Sequence, residues 1–154
     1  MAKNKKDKPI FLIVLLVVFV GLIGSFIIYN IVTPSYNYDD EQFNHIDNWQ
    51  TDLLLLGIQE EGNYLVYSYL ESCGACQQIK NNVLGFAADN NEAISLYLAD
   101  AAKPSLSNSR DYRPGTSTTV PTLLVMNGSN LVEEITGTQS ILEALEAIED
   151  GNYE

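Results

Sequence analysis

The apolar residues of this chain fall into one long run and several short ones, and the two kinds predict different elements. From Ile10 to Val32 no side chain is charged, and Ile, Leu, Val and Phe dominate. At about 1.5 Å rise per residue, a helix of that length crosses the roughly 30 Å hydrocarbon core of a bilayer. A cleaved secretory signal has an apolar region of roughly 7–15 residues ending in a small-residue cleavage site. This run is longer and no such site follows, so the expectation is an uncleaved transmembrane helix over residues 10–32, with a short N-terminus, 1–9, before it. Residues 33–40 (TPSYNYDD) read as a polar linker, and 41–154 as one folded domain.

Within that domain the apolar spacing is shorter. Phe43, Ile46, Trp49 and Leu53 recur at steps of three and four, which predicts a helix starting near Asp39 or Asp40 and ending at Glu60–Asn63. His45 would lie on that helix beside its apolar face, as a surface or capping residue. Tyr64–Leu70 (YLVYSYL) is a compact β-branched and aromatic run, suited to a buried central strand. After Ser72 the period lengthens again, with Ile79, Val83 and Phe86 on one helix face opening at the cysteines. Ile94–Ala99 predicts a second strand, and residues 101–119, polar and carrying Pro104, Pro114 and Gly115, a loop with room for a helical turn. Val120–Met126 predicts a third strand and Leu131–Ile135 a fourth, joined at Asn127-Gly128, a strong hairpin signal. The sequon Asn127-Gly128-Ser129 is accounted for by that turn chemistry. Ser140 with Glu143 makes a capping-box pattern ahead of Ile141, Leu142, Leu145 and Ile148. The resulting order, α-β-α-β-loop-β-β-α, predicts an α/β domain with a mixed sheet covered by helices.

Charge orients this arrangement. Lys3, Lys5, Lys6 and Lys8 precede the apolar run, and no Lys or Arg follows it until Lys80. The positive-inside rule then keeps the N-terminus in the cytoplasm and sends the rest out, making a single-pass membrane protein with an extracytoplasmic domain. The part beyond the span holds four of the eight basic residues and nineteen of the twenty acidic ones, a formal charge of −15. So acidic a domain argues against nucleic acid or anionic lipid as its partner.

The chemistry rests on Cys73-Gly74-Ala75-Cys76, the only cysteines in the chain. At the head of a helix the first thiol meets unpaired backbone N–H groups and the positive end of the dipole, which favour a thiolate and make Cys73 the nucleophile. Cys76, one turn deeper, is placed to resolve a mixed disulfide on Cys73. Gly74 and Ala75 keep the turn small enough for a partner chain to approach. Three other uses of the pair compete, and the simplest of them, two inert buried thiols, would not need this spacing. A structural staple across two residues closes too small a loop to constrain the unfolded chain much. A zinc site needs two further ligands, and only His45 remains, so no metal is expected.

These pieces together resemble the thioredoxin family: the strand YLVYSYL, the helix opening ESCGACQQI, the strand VPTLLVMNG, then Gly137 and a closing helix, over roughly residues 40 to 150. The resemblance implies a thioredoxin fold and thiol–disulfide exchange through a Cys73–Cys76 couple, with no other cofactor. It implies a cis bond before Pro121 and a partner strand pairing with the Val120 backbone, and it places Gly137 beside that groove. The partners it implies are protein thiols and disulfides outside the cytoplasm and a further redox protein in or beyond the membrane. Here the family's Trp-Cys-Gly-Pro-Cys is Ser72-Cys73-Gly74-Ala75-Cys76. Its buried carboxylate falls near Tyr67 and its companion lysine near Leu96. Those two departures keep open a second possibility, a membrane-tethered binding or export-accessory module on the same scaffold with little redox turnover.

Overall fold

The computed structural model describes residues 7–32, 35–59, 62–90 and 93–152. Lys3, Lys5 and Lys6, on which the expected orientation rests, lie outside the described residues, as do Thr33, Pro34, Glu60 and Glu61. The chain divides into two compact units, one ending at Ser35 and the other starting at Tyr36. In the first, α1 (Asp7–Val32) is a continuous helix of 26 residues. Its side chains are described from residue 12 to residue 25, and the apolar ones there are exposed. That stretch is shorter than the roughly 20 residues a span requires, and among the described residues no helix is long and apolar enough to cross a membrane.

The second unit is a five-stranded sheet in the order β1-β3-β2-β4-β5. Its strands are β1 (Asn44–His45), β2 (Asn63–Tyr69), β3 (Leu96–Asp100), β4 (Thr122–Asn127) and β5 (Asn130–Thr136). β1 and β2 run parallel to β3, whereas β4 is antiparallel to both β2 and β5. Its helices are α2 (Trp49–Gln59), α3 (Gly74–Asn90), α4 (Pro104–Asn108) and α5 (Thr138–Glu149).

Alternation along the central strands divides the core in two. Leu65, Tyr67 and Tyr69 of β2, with Leu123 and Val125 of β4, pack under α3 and α5. Tyr64 and Val66, with Leu124 and Met126, pack under α2 and Leu106 of α4. Every residue of β2 from Tyr64 to Tyr69 is buried, as the apolar run requires of a strand covered on both faces. Each large side chain so buried contributes about 1.5–3 kcal/mol.

The expected first helix is corrected. Its four marker residues serve different cores: Phe43 faces α3, whereas Ile46, Trp49 and Leu53 belong to the α2 side. Here the chain runs extended, the Ile46 N–H donating to Leu98 O at 2.8 Å, and helix begins only at Trp49. Asn48 caps it, Oδ1 accepting from the N–H groups of Gln50 and Thr51 at 3.0 and 3.1 Å. Asp52 reaches back to the N–H groups of Asn48 and Asp47 at 2.9 and 2.7 Å. His45 therefore stands on the edge strand β1, not on a helix. Its Nδ1 is buried without a hydrogen-bond partner, and burial, then the charge of Lys103, holds the ring below its ordinary pKa.

Three smaller differences follow from local packing. Tyr36 and Tyr38, inside the expected linker, belong to the folded unit, Tyr38 only 1 % exposed. Tyr36 meets Phe43 edge to face at 5.8 Å. The last helix starts at Thr138, ahead of the expected Ser140 cap. Gly137, held by its N–H to Pro121 O at 3.3 Å, takes the cap position, and Glu143 accepts from Gln139 Nε2. Finally, the β4–β5 loop is Gly128-Ser129, with Gly128 at φ 56°, a conformation glycine adopts without strain.

Candidate active site

Strand β2 delivers the chain to the site, and α3 holds it there. After Leu70 the backbone turns, the Cys73 N–H donating to Leu70 O at 3.1 Å, and α3 starts at Gly74. Cys73 thus occupies the position before the helix, where the first N–H groups lack partners. Its Sγ accepts the N–H of Cys76 at 3.2 Å, as an oxygen cap would. Cys73 is half-buried and Cys76 fully buried; both are free thiols.

This placement separates the two thiols chemically. Partial burial by itself raises the Cys73 pKa. Hydrogen bonds from the Cys76 thiol and from the backbone N–H groups of Cys76 and Ala75 outweigh that, and Cys73 lies below the ordinary thiol value. Cys76 is pushed up to about 11, first by burial and then by its bond to Cys73. One thiol is poised to be a nucleophile and the other to wait, protonated, beneath it.

Val120 and Pro121 close the other side. The Val120–Pro121 peptide bond is cis, and the Cys73 thiol lies 3.7 Å from Val120 O, to which it donates. Gly74 is exposed and Ala75 half-buried on the turn between the cysteines. Gly137 adjoins Pro121 through its backbone bond, but a Cβ there would meet nothing within 4 Å. What calls for glycine at this position is its φ of 88°.

Under Cys76 lies a stack of tyrosines. Tyr38 and Tyr69 are stacked with ring centroids 3.8 Å apart, and Tyr67 lies parallel to Tyr69 at 6.1 Å. The Tyr38 hydroxyl donates to Cys76 O at 3.2 Å. Tyr67 stands where the resemblance puts a carboxylate, and its hydroxyl is buried with no partner at hydrogen-bonding geometry. It is nevertheless close enough to Tyr38 and Cys76 for each to perturb it. Burial raises all three phenols, Tyr38 to about 12, so they are neutral at physiological pH. Leu96, at the companion lysine's place, is buried in the apolar core. Tyr38 escaped the sequence reading because the TPSYNYDD segment looked like a tether; its spacing from Tyr36 was the available signal.

A second group, also missed, fixes the loop that carries Val120. The Glu134 carboxylate on β5 accepts from the N–H groups of Thr116 and Ser117 at 2.8 and 3.0 Å, and from Arg113 Nη1 at 3.2 Å. Burial would raise its pKa, but these donors together hold it below the usual carboxylate range. Glu134 stands beside Glu133 on a strand of which only Ile135 is buried, so no local pattern in the sequence marked it. Among the described residues no cluster of His, Cys, Asp or Glu could hold a metal ion.

Parallel β1, β3 and β2, antiparallel β4 and β5, α3 opening at Cys73 and a cis proline opposite define the thioredoxin fold. The chain is similar to thioredoxin f2 of Chlamydomonas reinhardtii, at 13% identity over 73% of this chain and 99% of that one, with a TM-score of 0.56. It is likewise similar to spinach chloroplast thioredoxin f (20%, 70% and 93%, 0.53). Thioredoxin O2 of Arabidopsis thaliana matches at 19% identity over 77% of this chain and all of that one, with a TM-score of 0.53. No family model matches the sequence, and no curated protein does. At these identities the likeness establishes the fold, and function rests on the site.

Proposed function

We propose that the folded unit is a thiol–disulfide oxidoreductase working through Cys73 and Cys76, held outside the cytoplasm by α1 as a single-pass anchor. The observation that carries the chemistry is the asymmetry of the pair: a half-buried Cys73 sulfur capping α3, 3.7 Å from Val120 O, above a fully buried Cys76. In the reducing direction the Cys73 thiolate attacks one sulfur of a partner disulfide. A mixed disulfide forms and the partner's other sulfur leaves as a thiolate, which takes up a proton. Cys76 then loses its proton and attacks Cys73 Sγ, giving the Cys73–Cys76 disulfide and the second partner thiol. Two electrons and two protons pass to the partner; oxidation is the same sequence reversed. Val120, Pro121, Gly74 and Ala75 form the surface against which the partner chain lies, and no metal or further cofactor takes part. A separate redox protein in or beyond the membrane restores the pair.

The anchor is supported by the uncharged run from Ile10 to Val32 within a continuous helix, and its orientation by the four lysines ahead of it. Protease treatment of intact cells tests it: the domain should be cleaved without lysis, and full protection would overturn the orientation.

Cys76→Ser should trap partners as mixed disulfides, whereas Cys73→Ser should trap almost none. Equal trapping by the two variants would sink the division of roles. A second reading, a tethered binding module with little turnover, draws support from the neutral phenol of Tyr67 and the apolar side chain of Leu96, which stand where the resemblance puts a carboxylate and a lysine. It predicts partner capture that survives both substitutions.

A further inference from the structure

The loop leading to Pro121 walls a second feature, a cavity of about 380 Å³ on the α2 and α4 side of the sheet. Its apolar wall is Trp49, Leu70, Leu106 and Val120; its polar wall is Arg110, Arg113 and the Ser/Thr run 116–119. Leu70 and Val120 also flank Cys73, so the cavity opens beside the thiol site.

Its charge is opposite to that of its surroundings. The part of the chain beyond residue 32 carries a formal charge of −15 and only two arginines, and both line this cavity, while no carboxylate does. Arg113 is 10 % exposed, its guanidinium 5.8 Å from the Trp49 ring centre, with Nη1 committed to Glu134 and Nη2 buried without a partner. Arg110 is exposed and has no ion-pair partner among the described residues. A cation left unpaired in so acidic a domain is available to a ligand, and a guanidinium beside hydroxyl groups suits a carboxylate.

We propose that this cavity is a recognition pocket for an acidic residue with an apolar neighbour, lying a few positions from the target cysteine of a protein substrate. The inference rests on the thiol–disulfide reading for the word substrate, but the pocket itself can be tested without redox chemistry. A partner strand pairing with Val120 continues over Thr119 and Thr118 at about 3.3 Å per residue, which brings its next side chains over the cavity. The volume exceeds one side chain, and the apolar wall takes the second.

Trp49 is the only tryptophan in the chain and lines the cavity, so its fluorescence reports occupancy directly. The full-length chain is titrated with redox-inactive peptides bearing Ser at the target position. Glutamate is placed at each of the flanking positions in turn and compared with glutamine at the same place. The expected result is a change in Trp49 emission, with glutamate binding roughly tenfold tighter than glutamine at one or two positions, as a charge-assisted hydrogen bond of about 1.5 kcal/mol requires. Arg110→Gln should erase that difference, and Lys103→Gln, which removes a charge away from the cavity, should preserve it. Equal binding of the two peptides at every position, no change in emission, or a preference that survives Arg110→Gln would overturn the proposal. Turnover of Cys-containing disulfide peptides, measured in parallel, keeps the two claims apart. Turnover with a silent Trp49 defeats the pocket alone, and a responsive Trp49 without turnover defeats the oxidoreductase reading alone.

Discussion

The two faces of the sheet are built from the same strands and differ in kind. Under α3 and α5 the side chains closing on Cys76 are neutral and aromatic: Tyr38, Tyr67 and Tyr69. Under α2 and α4 the neighbours of the cavity include Ser68, Arg113 and the Glu134 carboxylate, which lies opposite Leu124 and so shares its face. Strand β2 supplies both, Tyr67 to one side and Ser68 to the other, because adjacent residues of a strand point oppositely. On the proposed reading, the difference lets electron transfer and recognition be tuned separately. A substitution on the tyrosine side should move the chemistry of Cys76, and one on the other side the shape and affinity of the loop before Pro121.

The largest effect that tests this division is expected from Glu134→Gln. It removes the charge that neutralises the buried Arg113 guanidinium and one acceptor of the loop N–H groups, and should cost about 2 kcal/mol of stability in denaturant unfolding. The pH dependence has a definite sign. A carboxylate whose folded pKa is depressed contributes stability that is fully present above its unfolded value, about 4.3, and is lost as pH falls through the folded one. The wild-type chain should therefore lose stability in acid more steeply than the Gln variant. If Glu134→Gln also shifted the reactivity of Cys73, the two faces would not be independent.

Tyr67→Phe should have a smaller, two-sided effect. It deletes a buried hydroxyl that has no hydrogen-bond partner, so the melting temperature should hold or rise. Yet that hydroxyl acts, after the Leu70 backbone, to lower the Cys76 pKa, and so favours the Cys76 thiolate as it forms. Resolution of a mixed disulfide, followed by stopped-flow, should slow roughly tenfold, with its pH profile moved upward. A resolution rate indifferent to the change would remove Tyr67 from the mechanism.

Lys80→Gln should do least. Lys80 Nζ bonds to Asn37 Oδ1 at 3.0 Å and sits 5.3 Å from the Tyr38 ring centre, an exposed contact worth about 0.5 kcal/mol. The sharper outcome is that Tyr38 keeps its place under Cys76 without it, seen as an unchanged near-UV circular dichroism of the stacked tyrosines.

The strand–cysteine–helix unit was legible because its signals are local: a seven-residue apolar run, a C-x-x-C spacing and a Val-Pro-Thr strand start each name their own structure. The first helix was misread because Phe43, Ile46, Trp49 and Leu53 mimic one helical face while serving two cores, a division that only the sheet creates. Two-residue strands such as β1 carry no periodicity to detect. Tyr38, Glu134 and Arg113 act across separations in sequence of 17 to 64 residues, as in Glu134 with Ser117, Tyr38 with Cys76 and Arg113 with Trp49. No local pattern marks such partners.

The central claim is that hydrogen bonds at the head of α3 make Cys73 the nucleophile, while burial keeps Cys76 in reserve. Its most direct test is the pH dependence of iodoacetamide alkylation of the reduced full-length chain, with the modified site assigned by mass spectrometry. Cys73 should react first, with a midpoint below the ordinary thiol value of about 8.5, and Cys76 should stay unmodified until pH approaches about 11. Equal modification of both thiols, with a common midpoint at or above the ordinary value, would contradict the account.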